Sequence, residues 1–126
     1  VDLESFRNLE RFDRLHTLVL DKNYLPGLSD CPTIPSLHTL WFNNNSVEDL
    51  PRFMDEVTTA FPNLRVLSMM RNPAAPGLMD IVTPDLESIR LYRLYVLFRI
   101  PDLLMLDSTD VTAEERGEAA VRGQHG

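Results

Sequence analysis

The chain has 126 residues, of which 44% are hydrophobic and 25% charged, and its formal net charge is −7. That length suits one domain with a sizeable core, while the acidic balance argues against nucleic-acid phosphates or an anionic bilayer as the principal partner. Cys31 is the single cysteine, so no disulfide can form within the chain and a reducing, cytoplasmic setting is expected.

Residues 2–6, "DLESF", echo "DLPRF" at 49–53. They read as the return segment of a repeat whose strand lies upstream, so the parent protein is expected to carry at least one more N-terminal repeat. The first full pattern is "LHTLVLDKNYL", with Leu15, Leu18, Leu20, Asn23 and Leu25 in the spacing L-x-x-L-x-L-x-x-N-x-L. It recurs at Leu37, Leu40, Phe42, Asn45 and Val47, and again at Leu64, Leu67, Met69, Asn72 and Ala74. A partial copy, Leu103 and Leu106, lacks the asparagine. Successive starts lie 22, 27 and 39 residues apart. The first two offsets fall in the range of leucine-rich repeats, and the third leaves room for an insertion.

Each repeat supplies one short parallel strand, near 16–20, 38–42 and 65–69, with its leucines turned inward. The amides of Asn23, Asn45 and Asn72 can both donate to and accept from backbone groups at the turn. The first return segment, "PGLSDCPTIPS", holds three prolines, which disfavour a helix and favour extended or 3-10 structure. The second, "LPRFMDEVTTAFP", places Phe53, Met54, Val57 and Phe61 at helical spacing. Pro51 opens that helix and Pro62 ends it.

The end of a solenoid exposes core leucines unless something covers it. In "TPDLESIRLYRLYVLFRIPDLLMLD", Thr83 is placed as an N-cap and Pro84 at the first helical position. Leu86, Ile89, Val96 and Leu97 are expected to face the last repeat. Pro101 stops this helix, and "LLML" forms a final strand. Thr112 and Glu115 have capping-box spacing, so a short polar helix follows, ending near Gly123.

The fold expected is an α/β leucine-rich-repeat solenoid. It has a curved parallel sheet on the concave face, mixed helical, 3-10 and loop returns on the convex face, and a C-terminal helical cap. Repeats span 1–83, the cap and polar helix 84–123, and a disordered tail 124–126. No apolar run approaches the ~20 residues of a spanning helix, and no direct membrane insertion is expected.

Strand alternation turns the residues between the inward leucines toward the concave face. Thr17, Val19, Thr39, Trp41, Val66, Ser68 and Met70 share that patch. Asp21, Lys22, Asn43, Asn44 and Arg71 edge it, and Met105 and Asp107 extend it into the cap. An exposed tryptophan among valines and methionines has the composition of a protein-binding anchor. The competing reading is a tryptophan half-covered by its own neighbours, with no partner. Arg65 and Arg71 form a small basic patch suited to an acidic loop on a partner.

His16 and His38 fall in the same slot of adjacent repeats, about 5 Å apart in a ladder. A metal would need further ligands, and none recurs beside them, so a polar ladder is expected and no metal. Cys31 reads as a small buried hydrophobe. No nucleophile accompanies the histidines and no glycine-rich phosphate loop occurs. Neither catalysis nor a cofactor is expected, and the chain should be a monomer that binds protein and no nucleic acid directly.

"YRLYVLFRIPDLLMLD" resembles the C-terminal cap of short intracellular leucine-rich-repeat proteins, among them the A-prime protein of the spliceosomal branch-site particle. "FPNLRVLSMMRNPAAP", the "LHTL" strands and "VTAEERGEAAVRG" resemble the leucine-rich melanocyte differentiation-associated protein family, over most of residues 9 to 123. The resemblance implies a non-catalytic adaptor in melanosome or lysosome-related organelle biogenesis and endosomal trafficking. Its implied partner is a GTP-loaded Rab-type small GTPase, which would recruit it to organelle membranes. Contacts that the family makes through sequence beyond its repeats lie outside this chain. The alternative is a nuclear ribonucleoprotein scaffold of the A-prime type, gripping an RNA-binding-domain protein.

Overall fold

The computed structural model describes residues 14–29, 31–75 and 86–125, with side chains described as far as Val121. The echo at residues 2–6 and the helix start placed at Thr83 and Pro84 lie outside the described residues. Strands β1 (Thr17–Val19) and β2 (Thr39–Trp41) are followed by helix α1 (Leu50–Ala60) and strand β3 (Val66–Ser68). Helix α2 (Leu86–Arg99), strands β4 (Met105–Leu106) and β5 (Thr109–Asp110) and helix α3 (Ala113–His125) complete the order.

The strands lie side by side in sequence order. The first three pairings are parallel, and the register aligns Leu18, Leu40, Leu67 and Leu106 in one row. All four are buried, because each of the four parallel strands presents its leucine to the same side. The architecture is therefore an α/β leucine-rich-repeat solenoid. Stacking matters because three-residue strands cannot bury an apolar face alone.

The asparagines connect one repeat to the next. Asn45 Oδ1 accepts the N–H groups of Asn23 (3.0 Å) and Leu25 (2.9 Å), and its Nδ2 donates to the carbonyls of Leu20 (2.9 Å) and Asn43 (3.2 Å). Asn72 repeats the scheme one step on, accepting from Val47 N–H and donating to the carbonyls of Phe42 and Met69. Both side chains are buried, so four polar functions per amide would be costly without these partners.

The two return segments differ as their prolines require. Residues 31–36 form no helix, and the segment is held by Glu56, whose carboxylate accepts Leu28 N–H (2.9 Å) and Ser29 Oγ–H (3.1 Å). Helix α1 starts where Asp49 Oδ1 accepts Arg52 N–H, with Pro51 in its first turn. It buries Phe53, Met54, Val57 and Ala60, and Phe53 meets Phe42 with ring centroids 5.0 Å apart. Burial of the larger of these side chains contributes about 1.5–3 kcal/mol each. Phe61 closes the helix through its N–H to Val57, and Pro62 follows.

Past Arg99 the chain turns into β4. Asp107 and Ser108 both take positive φ, 53° and 65°, and link β4 to β5 as a two-residue hairpin with Leu106 opposite Thr109. Two consecutive left-handed residues are the geometry of a tight hairpin turn. The sheet thus ends in an antiparallel strand, an addition to the parallel sheet expected from the repeats.

Helix α3 opens on the capping box: Glu115 N–H donates to Thr112 Oγ1 (3.0 Å), and Thr112 N–H donates to Glu115 Oε1 (3.1 Å). Arg93 clamps α2 to this turn, reaching both oxygens of Glu115 (2.7 and 3.2 Å) and the carbonyl of Leu106 (2.9 Å). Arg116 reaches the carbonyls of Pro101 and Leu103.

Two expectations for the cap need correction. Val96 and Leu97 are buried as core, but Leu86 is 68% exposed. It sits in the first turn of α2, ahead of the segment Tyr92–Leu97 that carries the helix's buried residues. Helix α3 also runs through Gly123 to His125, past the stop expected at Gly123; Gly126 of the expected tail lies outside the described residues. An interior glycine costs a formed helix only about 1 kcal/mol, so it need not end one.

Candidate protein-binding face

Opposite the leucine row, the register sets Thr17, Thr39, Val66 and Met105 in one line and Val19, Trp41 and Ser68 in a second. Thr17 and Val19 are exposed, and Thr39, Val66 and Met105 half-buried. Val19 is 55% and Met70 38% exposed. Trp41 is half-buried rather than fully exposed.

Ser68 departs from its expected place as an accessible contact, being 1% exposed. It pairs with Trp41 in the ladder, so a short side chain stands beside a large one. Its hydroxyl donates to Asn43 Oδ1 at 2.7 Å. Asn43 is in turn committed, because the same oxygen accepts Met70 N–H at 2.8 Å. One repeat earlier Asp21 Oδ1 accepts Asn43 N–H at 2.8 Å. Asp21 and Asn43 thus form a second ladder beside the asparagine one. Its signal was the acceptor side chain directly after Leu20 and after Phe42. Arg71 is exposed and left-handed at φ 61°, as are Lys22 at 62° and the half-buried Asn44 at 57° in the equivalent slots.

At the cap end, Asp107 takes over the acceptor role. Its carboxylate accepts Met69 N–H (2.8 Å) and the Tyr92 hydroxyl (2.8 Å). Burial pushes the Asp107 carboxyl above its usual range, opposed by those two donors and by Arg93. Burial, together with Asp107, also pushes the Tyr92 hydroxyl well up. Sequence reading placed Asp107 at the rim but not Tyr92, which lies fifteen residues away and meets it only through the fold.

His16 and His38 stand with ring centroids 5.7 Å apart, both exposed. Among the described residues no group of three or more His, Cys, Asp or Glu is arranged to hold a metal. Half-buried Cys31 has its thiol pushed up to about 12 by burial, with Glu56 adding to it, which favours the protonated form at neutral pH. A polar cleft among the return segments is lined by Gly27, Ser46, Glu48, Asp49, Arg52 and Glu56, away from the strand face. No helix among the described residues is long and apolar enough to cross a membrane. What this geometry offers is a surface for docking: a partly covered indole, exposed Val19 and Met70, and a backbone fixed by side-chain ladders.

No protein-family model matches the chain. The human leucine-rich melanocyte differentiation-associated protein is 39% identical over 119 residues, covering 94% of this chain and 60% of that protein. That similarity supports the leucine-rich melanocyte differentiation-associated protein family for this chain. The chain spans 60% of that human relative's length. The chain is also similar to the U2 small nuclear ribonucleoprotein A′ of Arabidopsis thaliana. Identity there is 31% over 124 residues, covering 95% of this chain and 42% of that protein. Among solved structures, the Drosophila melanogaster SNF/U2A′ complex aligns with TM-score 0.51 at 22% identity, over 88% of this chain and 70% of that one. The Mex67 leucine-rich-repeat domain of Chaetomium thermophilum aligns with TM-score 0.60 at 16% identity, over 90% and 80%. These two structures share the fold. The human relative and the U2A′ relatives support a leucine-rich-repeat scaffold for protein interaction.

Proposed function

We propose that the chain is a non-catalytic adaptor that binds a protein on its concave strand face. The observation that carries this is Trp41, half-buried on the strand face with exposed Val19 on one side and exposed Met70 beyond the other. Aromatic anchors in partly covered seats are where binding energy concentrates. The partner proposed is a GTP-loaded Rab-type small GTPase, with the adaptor cytoplasmic and brought to melanosomes or related organelles by that partner. The likeness to that family supports this choice. The test is capture of purified Rab-type GTPases loaded with a non-hydrolysable GTP analogue or with GDP. Capture of the GTP form alone is expected, and it should be lost on Trp41→Ala. Equal capture of both forms overturns the effector role.

A second reading has support in the U2A′ likeness. A relative 31% identical, and a U2A′ chain solved in complex with SNF, favour a ribonucleoprotein scaffold that grips an RNA-binding-domain protein in the nucleus. Tagged full-length protein found in the nucleus, and binding such a domain but no GTPase, would select it.

A further inference from the structure

The cations of the described residues divide into two groups. Those on the helices whose side chains are described are committed. Arg52 pairs with Glu56, Arg90 with Glu87 and Glu118, Arg93 with Glu115, and Arg99 with Asp55, while Arg116 holds two carbonyls. Those at the strand ends are not. Arg14 and Arg65 lie where β1 and β3 are entered, and Lys22 and Arg71 where the same two strands are left. Among the described residues none of these four has a carboxylate partner, and Arg65 touches only the carbonyl of Leu64.

The acids follow the opposite division. Glu48, Asp49, Asp55 and Glu56 lie on or beside α1, and Glu87, Glu114, Glu115 and Glu118 on the cap helices. On the strand side stand Asp21 and Asp107, whose carboxylates accept backbone N–H groups, exposed Asp102 ahead of β4, and Asp110 on the far edge strand. In a chain of net charge −7, the cations left unpaired among the described residues thus stand around one apolar strip. Lys22 and Arg71 occupy the same left-handed slot two ladder steps apart, roughly 10 Å at ordinary strand spacing. Charges so placed attract a complementary surface and reject a like one.

We infer that the strand face is built for an acidic segment of a protein partner, with an apolar side chain seated against Trp41 and carboxylates reaching Lys22 and Arg71. This rests on the concave-face reading above and adds the partner's chemistry to it. A partner lacking carboxylates beside its apolar anchor would leave these cations desolvated and unpaired.

The test is selection from a random 16-residue displayed peptide library on the immobilised 126-residue chain, with counter-selection on Trp41→Ala. Binders that need Trp41 are expected to carry a net negative charge. Their affinity should fall about tenfold in the Lys22→Glu, Arg71→Glu double variant, and fall as salt is raised. Circular dichroism and thermal melting of that variant, whose two sites are exposed, confirm that it folds. Neutral or basic Trp41-dependent binders overturn the acidic-partner inference and leave concave-face binding standing. Absence of any Trp41-dependent binder overturns both. Binding of a 20-nucleotide single-stranded RNA that displaces the peptides and is lost on charge reversal assigns the cations to nucleic acid, and also overturns the inference.

Discussion

Replacing each ladder asparagine by alanine separates an inter-repeat strut from a mere turn residue. Asn45 makes four hydrogen bonds, to Asn23, Leu25, Leu20 and Asn43, three of them across to the previous repeat. At about 1 kcal/mol net per bond the side chain contributes about 4 kcal/mol. Water reaching the part-buried N–H groups lowers the expected loss in Asn45→Ala to about 3 kcal/mol. Asn72 makes three bonds, all buried, to Val47, Phe42 and Met69, so Asn72→Ala should cost a similar amount. Asn23 is half-buried, and among the described residues its side chain bonds only the nearby carbonyls of Leu20 and Asp21. Its loss should cost about 1 kcal/mol. Urea unfolding reads all three, since a 3 kcal/mol loss at a slope of about 2 kcal/mol/M moves the midpoint by about 1.5 M. Equal losses at the three positions would refute the strut argument, because turn preference alone acts alike in every repeat.

Tyr92→Phe removes one donor to the half-buried Asp107 carboxylate and should cost about 1.5–3 kcal/mol in the same unfolding assay; a change under about 0.5 kcal/mol would show that water replaces the hydroxyl. Gly27→Ala would bring a Cβ to 2.3 Å from Glu56 Oε1, so the carboxylate must release Leu28 N–H and Ser29. A loss of about 1–2 kcal/mol is expected, and none is expected from the same change at Gly117, where nothing lies within 4 Å, beyond any change in helix propensity. The hydrogen bond from Arg93 holds the Glu115 carboxyl below its usual range, against burial that raises it. Its folded value lies below its unfolded one, so its stabilisation is present above about pH 4.3 and is lost as pH falls through the folded value. An acid titration of stability should lose part of its slope there in Glu115→Gln, and an unchanged slope would contradict the clamp.

Much of the scaffold was legible because its signals are local. Leu18, Leu40 and Leu67 hold the same place in the repeat pattern, Pro51 and Pro62 bracket α1, and Thr112 with Glu115 opens α3. The two-residue hairpin at Asp107 and Ser108 was less legible, since neither residue is glycine and the left-handed turn carries no strong mark. The candidate face was legible in register and not in burial. Alternation puts Ser68 on the concave side, but it is buried there and its hydroxyl is bonded to Asn43 from the neighbouring repeat, which spacing alone does not reveal. The same limit applies to Asp107, whose partners Met69 and Tyr92 come from a different strand and from the cap helix. Leu86 shows the converse error, because helical spacing identifies a face without saying how far along it the core extends.

The central claim is that Trp41 anchors a partner on a preformed sheet. Truncation to alanine should cost about 1–2 kcal/mol of folding stability, below the 3–5 kcal/mol of a fully buried aromatic. It should cost at least about 2 kcal/mol of binding, roughly thirtyfold in affinity. Titration of a purified GTP-loaded Rab-type GTPase into wild type and Trp41→Ala, both verified as folded, reads this directly. The account predicts a folded variant whose affinity falls about thirtyfold or more. A folded variant with unchanged affinity, or one that fails to fold at all, would contradict it.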